Sequence, residues 1–156
     1  MDRKWLQNLK IFGELKAYEW EELFKIAEEK SFNEGDIIFN QGDESTELYI
    51  LVKGAVDLQI RIAPQLADST VYTVNQNELF GEFAFIDPNP RSATARCTKN
   101  SEVVVIKKQN FEELIKGFPD IGLNFYRFIT KVLSDKVRRM NNYVRDIFIR
   151  SCGIET

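Results

Sequence analysis

The stretch Phe80 to Ala95, FGEFAFIDPNPRSATA, is mostly small or apolar, yet it carries an acid, Glu82, and a base, Arg91, nine positions apart. The turn Asp87-Pro88-Asn89-Pro90 lies between them. Buried charge is costly unless it is paired. The two are therefore either each other's partner or two halves of a site for something else. Arg offers a permanently charged fork that matches two phosphate oxygens. A carboxylate does not suit phosphate but accepts well from a sugar hydroxyl. Phe83 to Ile86 can form one helical turn, stopped by Pro88 and Pro90, and the backbone N–H groups at its start favour an anion. Ser92 adds a hydroxyl donor, and Ala93 is small enough for close approach. Anion donors plus a hydroxyl acceptor in one apolar cup describe a site for a phosphorylated ribose.

Other chemistries are excluded or unsupported. The chain has no histidine, which removes Ser-His-Asp and Cys-His catalysis and most zinc and non-haem iron sites. No metal site is expected, and no enzyme activity. Cys97 and Cys152 match no metal spacing, so a reduced, cytoplasmic protein is the expectation. No apolar run approaches the roughly 20 residues of a membrane span, and the N-terminus MDRKWLQNLK lacks an apolar signal core. The formal net charge is −3, with no general pull toward nucleic acid or an anionic membrane. Residues 120–156 hold seven Lys or Arg against four Asp or Glu, which reads as a solvated basic helix face.

The elements that must position this stretch follow from periodicity. With 156 residues, 44% hydrophobic and 29% charged, the chain suits one globular domain. Residues 1–32 read as helical: Trp20, Leu23, Phe24 and Ala27 make one apolar stripe. Glu19, Glu21, Glu22, Glu28 and Glu29 fill the other faces, and the helix should end near Ser31. Residues 33–108 change period. Ile37 to Phe39, Leu48 to Val52, Val71 to Val74, Thr94 to Cys97 and Val103 to Ile106 are short β-type runs. Val56, Leu58, Ile60 and Ile62 alternate with Asp57, Gln59 and Arg61, as in a half-buried antiparallel strand. Short strands with glycine between them predict an antiparallel β jelly-roll barrel. Over 109–150 the helical period returns, first as a short helix with Phe111, Leu114 and Ile115, ended by Gly117 and Pro119. A long helix of about 45 Å follows, from about Asp120 to Ile149. Ile121, Phe125, Phe128 and Val132 suit packing on the barrel. Leu133, Val137, Met140, Val144 and Ile147 form an a/d stripe suited to self-association as a homodimer. The fold class is mainly β with flanking helices.

FGE followed by RSATA resembles the phosphate-binding cassette, here residues 80–95, of the cyclic nucleotide-binding domain family. That family includes catabolite activator proteins, regulatory subunits of cyclic-nucleotide-dependent kinases and cyclic-nucleotide-gated channels. GDIIFNQGDESTELYILVKGAV is similar to its first strand-turn signature, and ITKVLSDKVRRM resembles its long helix. The resemblance implies a stand-alone sensor of cyclic AMP or cyclic GMP, coupling the β-roll to the C-terminal helix and to an unknown downstream protein. By this resemblance Arg91, Ser92 and Ala93 serve the phosphate, and Gly81, Glu82 and Ala84 the ribose. Thr94, Lys136 and Val137 stand at the positions for base contacts, where activator proteins carry hydroxyl residues on the helix. A hinge is implied near Gly117 to Gly122. Thr46 stands where an Asp is common, and Asn77 where a Gly usually precedes the cassette. RRMNNYVRDIFIR is too short for a helix-turn-helix, so no nucleic-acid partner is expected. The alternative is a ligand-free interaction domain of the same fold, with Glu82 and Arg91 as a mutual salt bridge.

Overall fold

The computed structural model describes residues 15–153. Helices expected before residue 15 lie outside the described residues. Helix α1 (Ala17–Lys25) precedes eight strands: β1 (Ala27–Phe32), β2 (Ile37–Phe39), β3 (Leu48–Lys53), β4 (Val56–Ile60), β5 (Ser69–Val74), β6 (Leu79–Phe80), β7 (Thr94–Cys97) and β8 (Ser101–Ile106). A one-turn helix, α2 (Glu82–Ile86), interrupts the strands after β6. Helices α3 (Lys108–Gly117) and α4 (Pro119–Ser151) are the last elements among the described residues. The strands form two antiparallel sheets, ordered β1-β8-β3-β6 and β2-β7-β4-β5.

The period of two explains why Leu48 to Val52 of β3 and Val103 to Ile106 of β8 are apolar without interruption. Leu48, Ile50 and Val52 of β3, with Val104 and Ile106 of β8, join the core shared with the helices. Tyr49 and Leu51, with Val103 and Val105, face Val56, Val74, Phe80, Ala95 and Cys97 in the core between the sheets. Both faces are covered, so neither strand needs a polar side.

Two expectations for the N-terminal segment are corrected. The helix stops at Lys25, and Ala27 to Phe32 is a strand whose register runs from Ala27 opposite Ile106 to Phe32 opposite Ser101. Glu and Lys favour helix only weakly. An unbroken ladder along the edge of β8 outweighs that preference, and the charged residues suit an edge. Glu19, assigned to a polar face, is fully buried. Its carboxylate accepts from the Lys16 amide at 2.7 Å and from Asn124 Nδ2 at 2.7 Å, tying α1 to α4. At β4 the ladder ends at Ile60, and Ile62 lies beyond it with 64% of its surface exposed.

The helical core gives α4 its seat. Ile121, Phe125, Phe128 and Ile129 are buried, and Val132 and Leu133 pack at the margin. Phe85 of α2 joins the same cluster, with ring centroids 5.3 Å from Phe111 and 6.3 Å from Phe125. At the α3–α4 junction a Cβ on Gly122 would come within 3.1 Å of Ile115 Cγ2, so the helices meet closely there.

Candidate functional site

Arg91 and Glu82 are both deeply buried, at 3% and 4% exposure, and they are not bonded to each other. Arg91 sits at the end of the 87–91 turn. Its amide donates to the Asp43 carbonyl, and its carbonyl accepts from the Gly42 amide, each at 2.8 Å. This clamps the chain at Arg91 to the turn after β2. The guanidinium then reaches inward. Nε donates to Ser45 Oγ at 2.8 Å, Nη1 to the Gly81 carbonyl at 2.8 Å, and Nη2 to the Glu47 carbonyl at 2.7 Å. A longer contact of 3.4 Å joins Nη2 to the Glu47 carboxylate, whose side chain is 28% exposed.

The guanidinium also meets aromatic rings. Its carbon lies 4.2 Å from the Phe39 ring centroid and 5.6 Å from that of Tyr49, within cation–π range. Burial pulls the Arg91 pKa below its ordinary value, opposed by Tyr49 and Glu47. Burial, with the nearby Glu47 charge, pushes the Tyr49 phenol up to about 12.

Gly81 is required where it stands. Its φ is +76°, and a Cβ there would come 2.8 Å from Arg91 Nη1, 3.1 Å from Tyr49 Cδ2 and 3.2 Å from the Glu47 carbonyl. Asn77 also adopts positive φ, 68°, so it holds the turn where glycine is usual.

Glu82 opens α2, and its partner comes from the far end of the chain. Lys136 Nζ donates to Glu82 Oε1 at 2.7 Å and to the Leu79 carbonyl at 3.0 Å. It lies 5.4 Å from the Tyr72 ring centroid. One turn further along α4, Arg139 donates to the Tyr72 hydroxyl at 2.6 Å and to Glu78 Oε1 at 3.3 Å. The Tyr72 hydroxyl in turn donates to Glu78 Oε2 at 3.0 Å. Burial and the Glu78 charge push the Tyr72 phenol up to about 12.

The structure therefore brings Gly81, Glu82, Arg91 and Lys136 into one cluster. Ala84 is buried behind it, Ala93 is buried on the approach to β7, and Ser92 is exposed. Val137 points elsewhere and is 56% exposed. Thr94 is not brought in. Its neighbours in alternation, Ala95 and Cys97, face the core, and its own hydroxyl accepts from the Gln41 amide at 2.9 Å. Thr94 lines a separate cavity of about 480 Å³ with Asn40, Gln41 and Arg61. Strand alternation turns the Thr94 side chain away from the core between the sheets.

The mutual salt bridge between Glu82 and Arg91 is likewise absent. Sequence reasoning did not single out Ser45, Glu47, Tyr72, Glu78 or Arg139. Ser45 and Glu47 lie within the quoted GDESTELY turn, so a signal existed for them. Tyr72, Glu78 and Arg139 meet only through tertiary packing. Among the described residues no cluster of three His, Cys, Asp or Glu could hold a metal ion, and no helix is long and apolar enough to cross a membrane.

Comparison with known proteins places this geometry. Residues 29–118 match the family described as "Cyclic nucleotide-binding domain", more than half of the chain. The CRP-like cAMP-activated global transcriptional regulator of Mycobacterium tuberculosis is 28% identical over 116 residues, 74% of this chain and 50% of that protein. The Pycsar effector protein BcPycTIR of Burkholderia cepacia is 31% identical over 124 residues, 79% of this chain and 38% of that protein. This chain thus spans half or less of the length of these two relatives. A crystal structure of a cyclic nucleotide-binding domain from Methylobacillus flagellatus superposes with a TM-score of 0.82 at 18% identity, covering 93% of this chain and 84% of that one. With the cassette, the two-sheet roll and the long terminal helix all in place, the chain belongs to the cyclic nucleotide-binding domain family.

Proposed function

We propose that the protein is a regulatory module that binds a 3′,5′-cyclic nucleotide, cyclic AMP or cyclic GMP, and passes the event to α4. The observation that carries this reading is the pair of buried, unlike charges that do not neutralise each other. Arg91 lies against the turn that follows β2, and Glu82 lies under α4. Their polarities suit the two ends of one ligand: the cyclic phosphate at Arg91, Ser92 and the Ala93 amide, and the ribose at Glu82, lined by Gly81 and Ala84. The Glu47 carboxylate, at 3.4 Å and partly exposed, is the Arg91 partner most easily exchanged for phosphate oxygens. Lys136 occupies the helix position facing the base end.

The route outward is mechanical. Phe85 follows Glu82 in α2 and packs on Phe111 and Phe125. A shift of the cassette therefore presses on the α3–α4 junction at Gly117 to Gly122. Beyond Leu133 the a/d stripe of α4 is exposed: Val137, Met140, Val144 and Ile147 are 43–61% accessible. We assign these to a homodimer seam, with Leu133 partly committed to the domain core. The module acts on a further protein and carries no catalytic function of its own.

Calorimetric titration with cyclic AMP and cyclic GMP tests the reading. Saturable heat with one of them is expected. No heat and no thermal shift at millimolar nucleotide sinks it. One observation favours the ligand-free alternative: Arg91 and Glu82 each already have protein partners. An interaction domain of that kind keeps its dimer with no response to either nucleotide.

A further inference from the structure

Two cations one turn apart on α4, Lys136 and Arg139, hold it to Tyr72 of β5, to Glu78 and Leu79 at the entry to β6, and to Glu82 of the cassette. They differ in setting. The Arg139 side chain is 59% exposed, whereas Lys136 is 16% exposed against a Glu82 side chain at 5%. Lys136 lies where α4 leaves the domain, between the part-buried Leu133 and the exposed Val137.

We propose that Lys136 is a positioning residue for the Glu82 carboxylate and so makes the docked position of α4 part of the sugar seat. This rests on Glu82 being the ribose acceptor. A carboxylate offers two oxygens and about four acceptor sites. Lys136 takes Oε1, and no described residue donates to Oε2. The same ammonium is fixed by the Leu79 carbonyl, on the strand that leads into the cassette. It cannot follow a rotation of the carboxylate without losing that bond. The carboxylate is thereby held in one plane, with Oε2 left for a ribose hydroxyl. If α4 lifts, both Lys136 contacts go and the carboxylate is released. The sugar then binds the docked state better than the lifted one, which is the differential affinity that coupling requires. By reciprocity, bound sugar holds α4 down.

The test uses the full chain, unmodified and as Lys136→Met and Lys136→Arg. Each protein is titrated with cyclic AMP, cyclic GMP and their 2′-deoxy counterparts. Amide hydrogen exchange of residues 137–151 is followed without nucleotide. The unmodified protein should prefer ribose over 2′-deoxyribose by about tenfold or more, the value of a hydrogen bond to a charged group. Lys136→Met should cut that preference to about threefold or less and speed exchange in α4, and Lys136→Arg should restore much of both. A merely structural role for Lys136 would weaken both sugars equally and leave the preference intact, which overturns the proposal. Tighter binding by Lys136→Met also overturns it, because Lys136 would then compete with the sugar. Unchanged exchange in Lys136→Met refutes the tie to α4 whatever the ligands do. Failure of the unmodified protein to bind any of the four nucleotides refutes the ligand reading instead.

Discussion

Replacing Arg91 should unfold the domain more readily even when no nucleotide is present. The guanidinium is 3% exposed and makes three contacts of 2.7–2.8 Å, to Ser45 Oγ and to the Gly81 and Glu47 carbonyls. Arg91→Ala strips all three acceptors of their donor and removes a cation from beside two aromatic rings, Phe39 and Tyr49. Each charged hydrogen bond contributes about 1.5–3 kcal/mol, and an orphaned buried acceptor costs about 1–3 kcal/mol. Water entering the emptied space offsets part of that, which leaves a loss of about 3–5 kcal/mol. Against a typical stability of about 5–15 kcal/mol, this lowers Tm by on the order of 10 °C. Arg91→Lys keeps the charge but not the fork, so it should lose about 2 kcal/mol. Urea denaturation followed by circular dichroism measures both. A loss under about 1 kcal/mol for Arg91→Ala would refute the reasoning, because the guanidinium would then be held in reserve for ligand rather than bracing the roll. The practical consequence is that Arg91→Ala alone is a poor binding control. Lost affinity has to be measured at a temperature where the variant is demonstrably folded.

Gly81→Ala should cost about 2–3 kcal/mol by the same assay, since the new Cβ meets Arg91, Tyr49 and the Glu47 carbonyl at a left-handed φ. Glu19→Ala orphans the Lys16 amide and Asn124 and should lower stability by about 2–3 kcal/mol; no shift in the urea midpoint would contradict the tie between α1 and α4. The Tyr49 and Tyr72 phenols are raised from 10.0 to about 12, so the folded state holds their protons longer than the unfolded one. Their contribution is therefore complete below pH about 10 and is lost as pH climbs to about 12. Tyr72→Phe should flatten that alkaline slope in urea melts. Met140→Glu with Ile147→Glu should reduce the sedimentation mass to that of a monomer while the far-ultraviolet spectrum stays that of the folded domain, both side chains being exposed on α4.

The cassette and the period changes were legible in the sequence because they are local. Gly81, Glu82 and Arg91 lie within eleven consecutive residues, and one helical turn broken by prolines is a local preference. The long apolar period of α4 and the two-residue period of β4 are likewise written into consecutive side chains. What pairs with what was decided only in three dimensions. AEEKSF reads as helix until the edge of β8 offers it a ladder. Glu19 reads as surface until Asn124, 105 residues away, closes over it. At nine residues' distance the sequence leaves the cassette charges either partners or two halves of a site, yet the roll gives Arg91 to Ser45 and Glu47, and α4 brings Lys136 to Glu82 across 54 residues. For Glu82 and Arg91 the sequence alone marks the burial, because it follows from the apolar pattern immediately around them. Only the packing of distant elements decides which opposite charge arrives, because that choice rests on loop paths and helix position that no local period encodes.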